Sequence, residues 1–575
     1  MTSSNIMHTL LWALAAHSAA ALPSSSTTRC QDGGGGGGQT RQVDYVVVGG
    51  GTAGSVVAEQ LSRNPDVLVM LLEAGPDNAG VENIDVPLFA PRLLFTQHAW
   101  NYTSQPDPNL NGRTPPLDQG RGFGGGSAIN YLGHCRGAAS VFNEWADIAG
   151  DDGLRWNNLL EHFRAVSHYN QMPDQTFNPP VNHSVYGDGP IELTMRNNDL
   201  GIETAAMLAY ASTLGLPLVD LSDGTGIGVS PGIVGVRGVN RTRVFAPQAF
   251  GWQMATRPNA QQLHHAWVTR VNFEGTRATG VTYVNPDDLS EEITVQAREV
   301  ILSGGAINTP KVGIGNVFSK KLKTDVRYHQ LLMLSGVGPG DHLRSLGVDV
   351  VADIPDIGRN LFDHHISFVE YEVVNDVQTL YQYDNNQTIA AQATEDYTQE
   401  ASLGLMGSPS GVSFAVYRAP DSVFANVNST FHTDLPADRG HLLLQCATAP
   451  LSGNSSGGNV ISGFVGLVQP EADGEMHLAS SDFRDDPIIN SNYWGSDSDK
   501  AAMLHGYKRL REVWANPSLN KLLVREVYPG PDVVSDEDLW RAIQNSASTF
   551  HHPSLLVGSW RVALFESEDL TASVS

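Results

Sequence analysis

The segment "VDYVVVGGGTAGSVVAEQLSRNPDVLVMLLEAG" constrains the fold more than any other part of the chain. The run from Tyr45 to Val48 predicts a buried strand rich in β-branched residues. A helix is expected to follow to about Ser62, and a second strand from Val67 to Leu72. This order of strand, glycine turn, helix and strand is the setting of a dinucleotide-binding unit.

The turn itself has the spacing G-x-G-x-x-G, and its candidate cofactor-binding residues are Gly49, Gly51, Thr52, Ala53 and Gly54. Gly49 permits the tight turn, Gly51 lets a pyrophosphate approach the backbone, and Gly54 lets helix and strand pack closely. The alternative is a glycine loop without a nucleotide, but the flanking strands and helix disfavour it.

Glu73 follows the second strand directly, 19 residues after Gly54. A carboxylate at this place can accept hydrogen bonds from a ribose 2′-hydroxyl and would repel a 2′-phosphate. The fingerprint alone does not choose between NAD and FAD.

Composition and net charge make several classes of partner less favourable. The chain has 575 residues, enough for two or three domains' worth of core, and its 35 basic and 61 acidic residues give a net charge of −26. Such a charge disfavours nucleic acid and anionic membranes and favours a neutral or cationic small substrate. Neither CxxC nor HExxH occurs, so no metal is expected.

The N-terminus predicts a secreted protein. An apolar run from Leu10 to Leu22, with small residues at 19–21, indicates a signal peptide over residues 1–22, and a membrane anchor is the alternative. A flexible glycine-rich linker is expected over residues 23–41. Six N-x-S/T sequons accord with secretion, at Asn101, Asn182, Asn240, Asn386, Asn428 and Asn454.

A second glycine-dense stretch, "GRGFGGGSAINYLGHCRG", resembles a signature of the glucose–methanol–choline (GMC) flavoprotein oxidoreductases. The matching residues are Gly124, Gly125, Ser127, Ala128, Ile129, Asn130, Arg136 and Gly137. "DIPDIGRNLFDH", "GEMHLASSDFRDDPIINSNYW" and "NSASTFHHP" resemble further family segments in the expected order. Among subgroups the chain looks most like fungal aryl-alcohol oxidases and related dehydrogenases.

The resemblance implies an α/β fold, with a discontinuous Rossmann-like FAD-binding domain and a substrate-binding domain of mixed β-sheet with helices. The expected FAD-binding parts are residues 42–170 and 230–362, and the expected substrate-binding parts are 171–229 and 363–505. Residues 506–575 are expected to return to the FAD-binding domain.

The resemblance also implies site residues. Gly49, Gly51, Gly54 and Glu73 would hold the ADP half of FAD, and the backbone of Val268 would face the adenine. Gly125, Ser127 and Asn130 would lie beside the flavin. Some family members bind FAD covalently through a histidine at the position of Ile129, which cannot form that bond, so non-covalent FAD is expected.

Alcohol oxidation needs a hydride acceptor, flavin N5, and a base near neutrality, for which histidine is suited. His552 matches the catalytic histidine of the family, and its neighbour His551 is the rival. His364 is interpreted as structural, and His264 and His265 as part of a surface turn. Oxygen or a quinone would reoxidise the flavin, and a hydroxynitrile lyase is the alternative activity.

Two segments depart from the family pattern. Residues 311–329 interrupt a second signature, which is restored when Pro310 is joined to Gln330. A retained in-frame intron is one interpretation and a genuine surface loop is the other. After Pro553 the family's flavin-contacting and second catalytic segments are not recognisable, which indicates a truncated C-terminus, and a catalytically impaired protein is the alternative to an active enzyme.

Overall fold

The computed structural model describes residues 40–172, 180–195, 202–309, 330–399, 404–407, 409, 411, 413–453 and 458–555. The predicted signal peptide, nearly all of the predicted linker, the insertion 311–329, the sequon at Asn454 and the C-terminal segment 556–575 lie outside the described residues.

The glycine fingerprint directly follows a strand of a six-stranded sheet. Its strands, in spatial order, are Trp267–Glu274, Arg277–Asn285, Asp288–Leu302, Thr40–Val48, Val69–Leu72 and Ala260–Leu263. Thr40–Val48 pairs in parallel with both of its neighbours, and the first three strands pair antiparallel. The strand, helix and strand predicted around the turn are confirmed, and Val268 lies in an antiparallel strand pair at the edge of the same sheet.

Both faces of this sheet are covered, which explains the continuous apolar runs of its central strands. Helix Thr52–Ser62 lies on one face, where Val47, Ala58 and Leu71 form one cluster. Val46 and Met70 lie in a second cluster on the opposite face.

The second large sheet has seven strands, and all of its described pairings are antiparallel. Its strands are Leu523–Tyr528, His365–Val373, Val460–Leu467, Leu442–Ala447, Phe414–Tyr417 and Gly228–Val229, with Ser548–Thr549 also paired to His365–Val373. Most of these strands lie within residues 363–505, where the resemblance implies a β-sheet with helices.

Helices Glu203–Leu214, Asp497–Trp514 and Asp536–Asn545 cover one face of the seven-stranded sheet. The longest begins where Ser496 Oγ accepts a hydrogen bond from the backbone N–H of Asp499. Its buried side chains recur at helical spacing, from Ala502 to Trp514. Residues 506–545, assigned from the sequence to the FAD-binding domain, therefore pack on this sheet; the domain boundaries themselves stay predictions.

Smaller elements complete the chain. A four-stranded sheet contains Ile488–Asn490, Gly474–His477, Arg359–Phe362 and Ser554–Leu555. The remaining strands are Ser167–Tyr169, Ile191–Met195, Ile233–Val234, Ala99–Trp100, Gln119–Gly120, Val337–Gly338 and Ala352–Asp353. The remaining α-helices are Glu82–Asp85, Gly126–Ile129, Ala139–Ala149, Trp156–Val166, Trp252–Ala255, Gly305–Asn308, Gln330–Leu334, Gly340–Ser345, Leu380–Asn385, Gln387–Thr398, Phe431–Asp434 and Pro517–Asn520.

Short 3₁₀ and π turns lie between them, at Pro87–Leu93, Pro108–Leu110, Asp152–Leu154, His183–Val185, Pro247–Gly251 and Asp421–Phe424. Among the helices that the structure describes, none combines the length and apolar character needed to cross a bilayer.

Candidate active site

The first glycine turn positions the start of a helix against the strand before it. Gly49 has a φ of +99°, a left-handed conformation that favours glycine. A Cβ on Gly54 would lie 1.9 Å from the carbonyl oxygen of Gly49, so only glycine lets helix and turn approach this closely. The first turn of helix Thr52–Ser62 has no side-chain cap and no acidic residue, which leaves its positive end available to an anion.

The second glycine segment docks on the first through backbone contacts. The Gly124 N–H donates to the carbonyl oxygen of Gly50 over 2.9 Å. A Cβ on Gly125 would lie 2.8 Å from the Cα of Gly51. The two motifs, separate in sequence, therefore form one surface made largely of backbone.

Glu73 links the two glycine segments. Its Oε2 accepts from the N–H of Gly50 over 2.8 Å. Its Oε1 accepts from the N–H of Gly75 and of Gly122, over 2.8 and 2.9 Å. The side chain is buried, so these three bonds compensate the loss of water around the carboxylate. The sequence identified Glu73 only as a ribose ligand, and that role stays a prediction.

A cleft of about 390 Å³ opens where the two glycine segments meet. Seven of the predicted cofactor residues line it: Gly49, Gly51, Thr52, Ala53, Glu73, Gly125 and Val268. Gly54, Ser127 and Asn130 are not part of its lining. The volume lies in the range of small-molecule sites.

The walls of the cleft have the features that binding of a dinucleotide requires. A Cβ on Gly51 would have only the Cα of Gly125 within 4 Å, at 3.7 Å, so the missing side chain leaves room in front of the helix. The backbone is bare where a pyrophosphate must approach, and Glu73 lies at the cleft wall. The residues present therefore fit FAD.

Ser127 and Asn130 hold the second motif in shape. Ser127 Oγ donates to the Gly124 carbonyl oxygen over 2.6 Å and accepts from the Ala246 N–H over 3.1 Å. Asn130 is exposed, and its Oδ1 accepts from Arg243 over 2.6 Å. Ile129 lies in an apolar cluster and offers no atom for a covalent flavin bond.

Arg243 is a functional candidate that the sequence analysis missed. Its guanidinium is fully buried and donates to the carbonyl oxygens of Ile84 and Asn130, each over 2.7 Å. Burial lowers the pKa of Arg243 to about 9, which leaves it charged at neutral pH. This cation stabilises the carbonyl end of the short helix Gly126–Ile129. A buried arginine contacting distant backbone has no local sequence signal.

The predicted catalytic histidines lie in a turn between two short strands. Ser548–Thr549 pairs with His365 and Ile366, and Ser554–Leu555 pairs with Leu361 and Phe362. Residues 550–553 therefore fold over residues 363–364. Ser554–Leu555 also contacts helix Gly305–Asn308, whose Asn308 lines the cleft.

Asp363 holds this turn in place through hydrogen bonds. Its side chain is buried, and Oδ1 accepts from the N–H of His364 over 2.9 Å and of His552 over 3.2 Å. Oδ2 accepts from the hydroxyls of Tyr493, over 2.7 Å, and Thr549. Burial raises the pKa of Asp363 to about 6, although all four hydrogen bonds favour the carboxylate. The only sequence signal for a role of Asp363 is its position directly before His364 and His365.

The two candidate bases differ in exposure. The His552 residue is exposed and the His551 residue half-buried, with a φ of +60° at His551. The pKa of each is lowered to about 4, in both cases mainly by desolvation inside the protein. Of the pair, His552 is therefore the one open to a substrate.

His364 contacts His552, which the sequence analysis did not foresee. Their Nδ1 atoms lie 3.1 Å apart, and the ring planes are nearly perpendicular, at 84°. Burial, followed by the neighbouring His552, lowers the pKa of His364 to about 3. His264 and His265 lie in a bend, as predicted.

Within the described part of the chain, no group of three or more His, Cys, Asp or Glu side chains is arranged to hold a metal ion.

Comparison with known proteins finds matches to one family of oxidoreductases. Family models described as GMC oxidoreductase match residues 43–315 and 470–561. The oxygen-dependent choline dehydrogenase of Burkholderia thailandensis is 30% identical over 525 residues, which cover 89% of this chain and 84% of that protein.

Solved structures share the fold. Pyridoxine 4-oxidase from Mesorbium loti has a TM-score of 0.70 and 26% identity, with 89% of this chain and 88% of that chain covered. A fungal aryl-alcohol oxidase has a TM-score of 0.73 and 22% identity, with 89% of each chain covered.

Proposed function

The chain belongs to the GMC oxidoreductase family of FAD-dependent alcohol oxidases and dehydrogenases, and we propose that it oxidises a primary or secondary alcohol to the carbonyl with His552 as the base. The observation that carries this proposal is the turn of residues 550–553, which presents the exposed His552 and leads into strand Ser554–Leu555, and this strand contacts helix Gly305–Asn308 at the cleft.

The residues of the cleft bind FAD in this proposal. The N-terminus of helix Thr52–Ser62 would hold the pyrophosphate, Glu73 would bind the ribose, and the Val268 backbone would bind the adenine. Bound FAD supplies the two-electron acceptor for the hydride of the carbinol carbon. Because Ile129 replaces the histidine that some members use, the cofactor is held without a covalent bond.

His552 takes the hydroxyl proton of the substrate. Its low pKa keeps the imidazole neutral near pH 7, so one ring nitrogen has a lone pair for the proton. Nδ1 faces His364, which leaves Nε2 for the alcohol. Asp363 holds the His552 backbone, so the base is presented in a fixed place.

The surroundings of His552 support an alcohol with an apolar body. The ring of Phe550 lies parallel to the His552 ring, with centroids 5.4 Å apart. Phe550 in turn contacts Phe464 in a cluster with Ile366 and Phe368. An aromatic or aliphatic primary alcohol suits this wall.

The experiment is product analysis with purified, flavin-loaded protein and a panel that contains benzyl alcohol, an aliphatic primary alcohol and choline. The proposal expects aldehyde formation that requires oxygen or a quinone, with benzyl alcohol ahead of choline. Cyanide release from a hydroxynitrile without flavin reduction would instead establish a lyase.

We also propose that the protein enters the secretory pathway. The N-terminal apolar run supports this, and so do the sequons: Asn101, Asn182, Asn240, Asn386 and Asn428 are all exposed. Exposure is what glycan attachment requires.

A further inference from the structure

The contact between His364 and His552 is between two like atoms. Both Nδ1 atoms lie at hydrogen-bond distance, 3.1 Å, so one of them must carry a hydrogen and the other a lone pair. The pKa of each ring is lowered below the ordinary histidine value of about 6.5, so both rings are neutral near pH 7 and each has a single N–H. The heavy-atom positions admit two arrangements of that hydrogen.

The two arrangements have opposite consequences for catalysis. If His364 donates, His552 carries its own proton on Nε2, and Nε2 cannot accept another. If His552 donates, its Nδ1 is protonated and Nε2 has the lone pair that an alcohol proton needs. Only the second arrangement makes His552 a base toward the substrate.

We propose that His364 is a positioning residue: its Nδ1 accepts a hydrogen bond from Nδ1–H of His552 and holds His552 in the tautomer whose Nε2 accepts the substrate proton. This inference rests on the proposed function, because it assumes that His552 is the base. It goes further than the sequence interpretation of His364 as structural.

The surrounding contacts hold the two rings in this relation. Asp363 binds the backbone N–H of both histidines, and the Phe550 N–H donates to the His364 carbonyl oxygen over 3.0 Å. The Phe550 ring lies parallel to His552, at 3°, and perpendicular to His364, at 87°. Backbone ties and ring packing thus set the distance between the two Nδ1 atoms independently of the hydrogen between them.

Two substitutions at this position separate hydrogen bonding from packing. In His364→Asn the side-chain oxygen stands near the place of Nδ1 and can still accept from His552. In His364→Leu the position keeps a side chain of similar bulk but loses the acceptor. A merely structural role would make both variants alike in their effect on His552.

The first readout is the tautomer of His552, measured by ¹⁵N NMR on the full-length, flavin-loaded protein labelled with [¹⁵N]histidine. The His552 signals are assigned from their absence in His552→Asn. We expect Nδ1–H in the wild-type protein and in His364→Asn. In His364→Leu we expect mainly Nε2–H, the tautomer that imidazole prefers in water.

The second readout is the rate of anaerobic flavin reduction against alcohol concentration. His364→Leu is expected to lower the maximal rate roughly 10–100-fold, with little change in the half-saturating concentration, because the loss concerns the proton acceptor and not binding. His364→Asn is expected to stay within about threefold of the wild-type rate.

A wild-type His552 protonated on Nε2 would overturn the inference, and so would an unchanged tautomer and rate in His364→Leu. If His364→Leu does not fold, the wild-type and His364→Asn spectra still decide. Failure of the proposed function is a separate result: no alcohol would reduce the flavin, while the NMR signals would still report the tautomer.

Discussion

Gly51 and Gly125 meet backbone to backbone, so closely that a Cβ on Gly125 would lie 2.8 Å from the Cα of Gly51. This contact joins the two glycine segments, and both glycines line the cleft. Glycine has two roles in this region: Gly51 leaves room for a ligand, and Gly54 lets the helix pack closely on the turn. A change to alanine at each of the two positions tests these roles separately.

Gly51→Ala should weaken FAD binding without destabilising the protein. Gly51 has a φ of −73°, which alanine adopts easily, and the new methyl would meet only Gly125 at an ordinary contact distance. Because the methyl would stand where the pyrophosphate approaches, FAD affinity should fall tenfold or more, on the order of 1.4 kcal/mol. Flavin titration and thermal unfolding of the flavin-free protein measure the two effects.

Gly54→Ala is the matched comparison. Its methyl would lie 1.9 Å from the Gly49 carbonyl oxygen, so the helix must move away from the turn. Overpacking of this kind costs about 1–3 kcal/mol, and the flavin-free protein itself should unfold at lower temperature. Equal stability loss in both variants would contradict the assignment of Gly51 to the ligand.

Glu73→Gln should destabilise the fold even without cofactor. The carboxylate accepts three backbone hydrogen bonds, with acceptors on both oxygens. Glutamine has one acceptor atom, so its NH₂ group must face at least one N–H donor. We expect a loss of about 1–3 kcal/mol in the free energy of unfolding, measured by denaturant titration, and no comparable loss for the exposed Glu274→Gln. Unchanged stability would limit Glu73 to cofactor binding.

His552→Asn should abolish turnover and retain flavin, whereas His551→Asn should be mild. Loss of a general base costs typically 10²–10⁴-fold in rate. Asparagine tolerates the left-handed backbone at His551, so that variant tests the rival histidine without strain. Anaerobic flavin reduction gives the rates, and visible absorbance confirms equal flavin content. A greater loss at His551 would transfer the role of base to that residue.

His441→Phe should reduce the sensitivity of the fold to acid. The His441 side chain is fully buried, and desolvation, followed by the neighbouring His432, lowers its pKa to about 3. An unfolded histidine titrates near pH 6.5, so as the pH falls below about 6.5 only the unfolded chain takes up the proton, and stability is lost down to about pH 3.

At about pH 5 this single group corresponds to roughly 2 kcal/mol of lost stability. Thermal unfolding at about pH 7.5 and pH 5 should therefore show a smaller difference for His441→Phe than for the wild type. His162→Phe, at an exposed position, serves as control and should keep the wild-type difference. An undiminished acid sensitivity in His441→Phe would contradict the burial argument.

Expression in a eukaryotic secretory host tests the localisation proposal. The protein should appear in the medium, and enzymatic removal of N-glycans should lower its mass. Asn101→Gln and Asn428→Gln, both at exposed sequons, should each remove one glycan. Retention inside the cells as unglycosylated protein would refute the proposal.

The sequence predicts those parts of the molecule that have a local signal. Hydrophobic period and glycine spacing predict the strand Thr40–Val48, the helix Thr52–Ser62 and their turn, because each depends on neighbours in the chain. The resemblance to the GMC family supplies FAD and the candidate base. These two sources account for the cleft and for the place of His552.

The remaining features depend on contacts between distant residues, which no local pattern encodes. Nothing in the sequence around Arg243 indicates that its side chain contacts Asn130, which is distant in the chain. Likewise, His364 contacts His552 only because two short strand pairings bring one turn over the other. The packing of residues 506–545 on the seven-stranded sheet likewise follows from tertiary contacts.

The central claim is that a non-covalent FAD in the cleft between the two glycine segments receives the electrons of an alcohol. Anaerobic mixing of the flavin-loaded protein with benzyl alcohol tests it most directly. The account predicts that the visible flavin absorbance bleaches with one aldehyde formed per flavin, and that acid denaturation releases all the FAD. Protein that stays colourless after incubation with FAD, or flavin that remains oxidised with every alcohol tried, would contradict it.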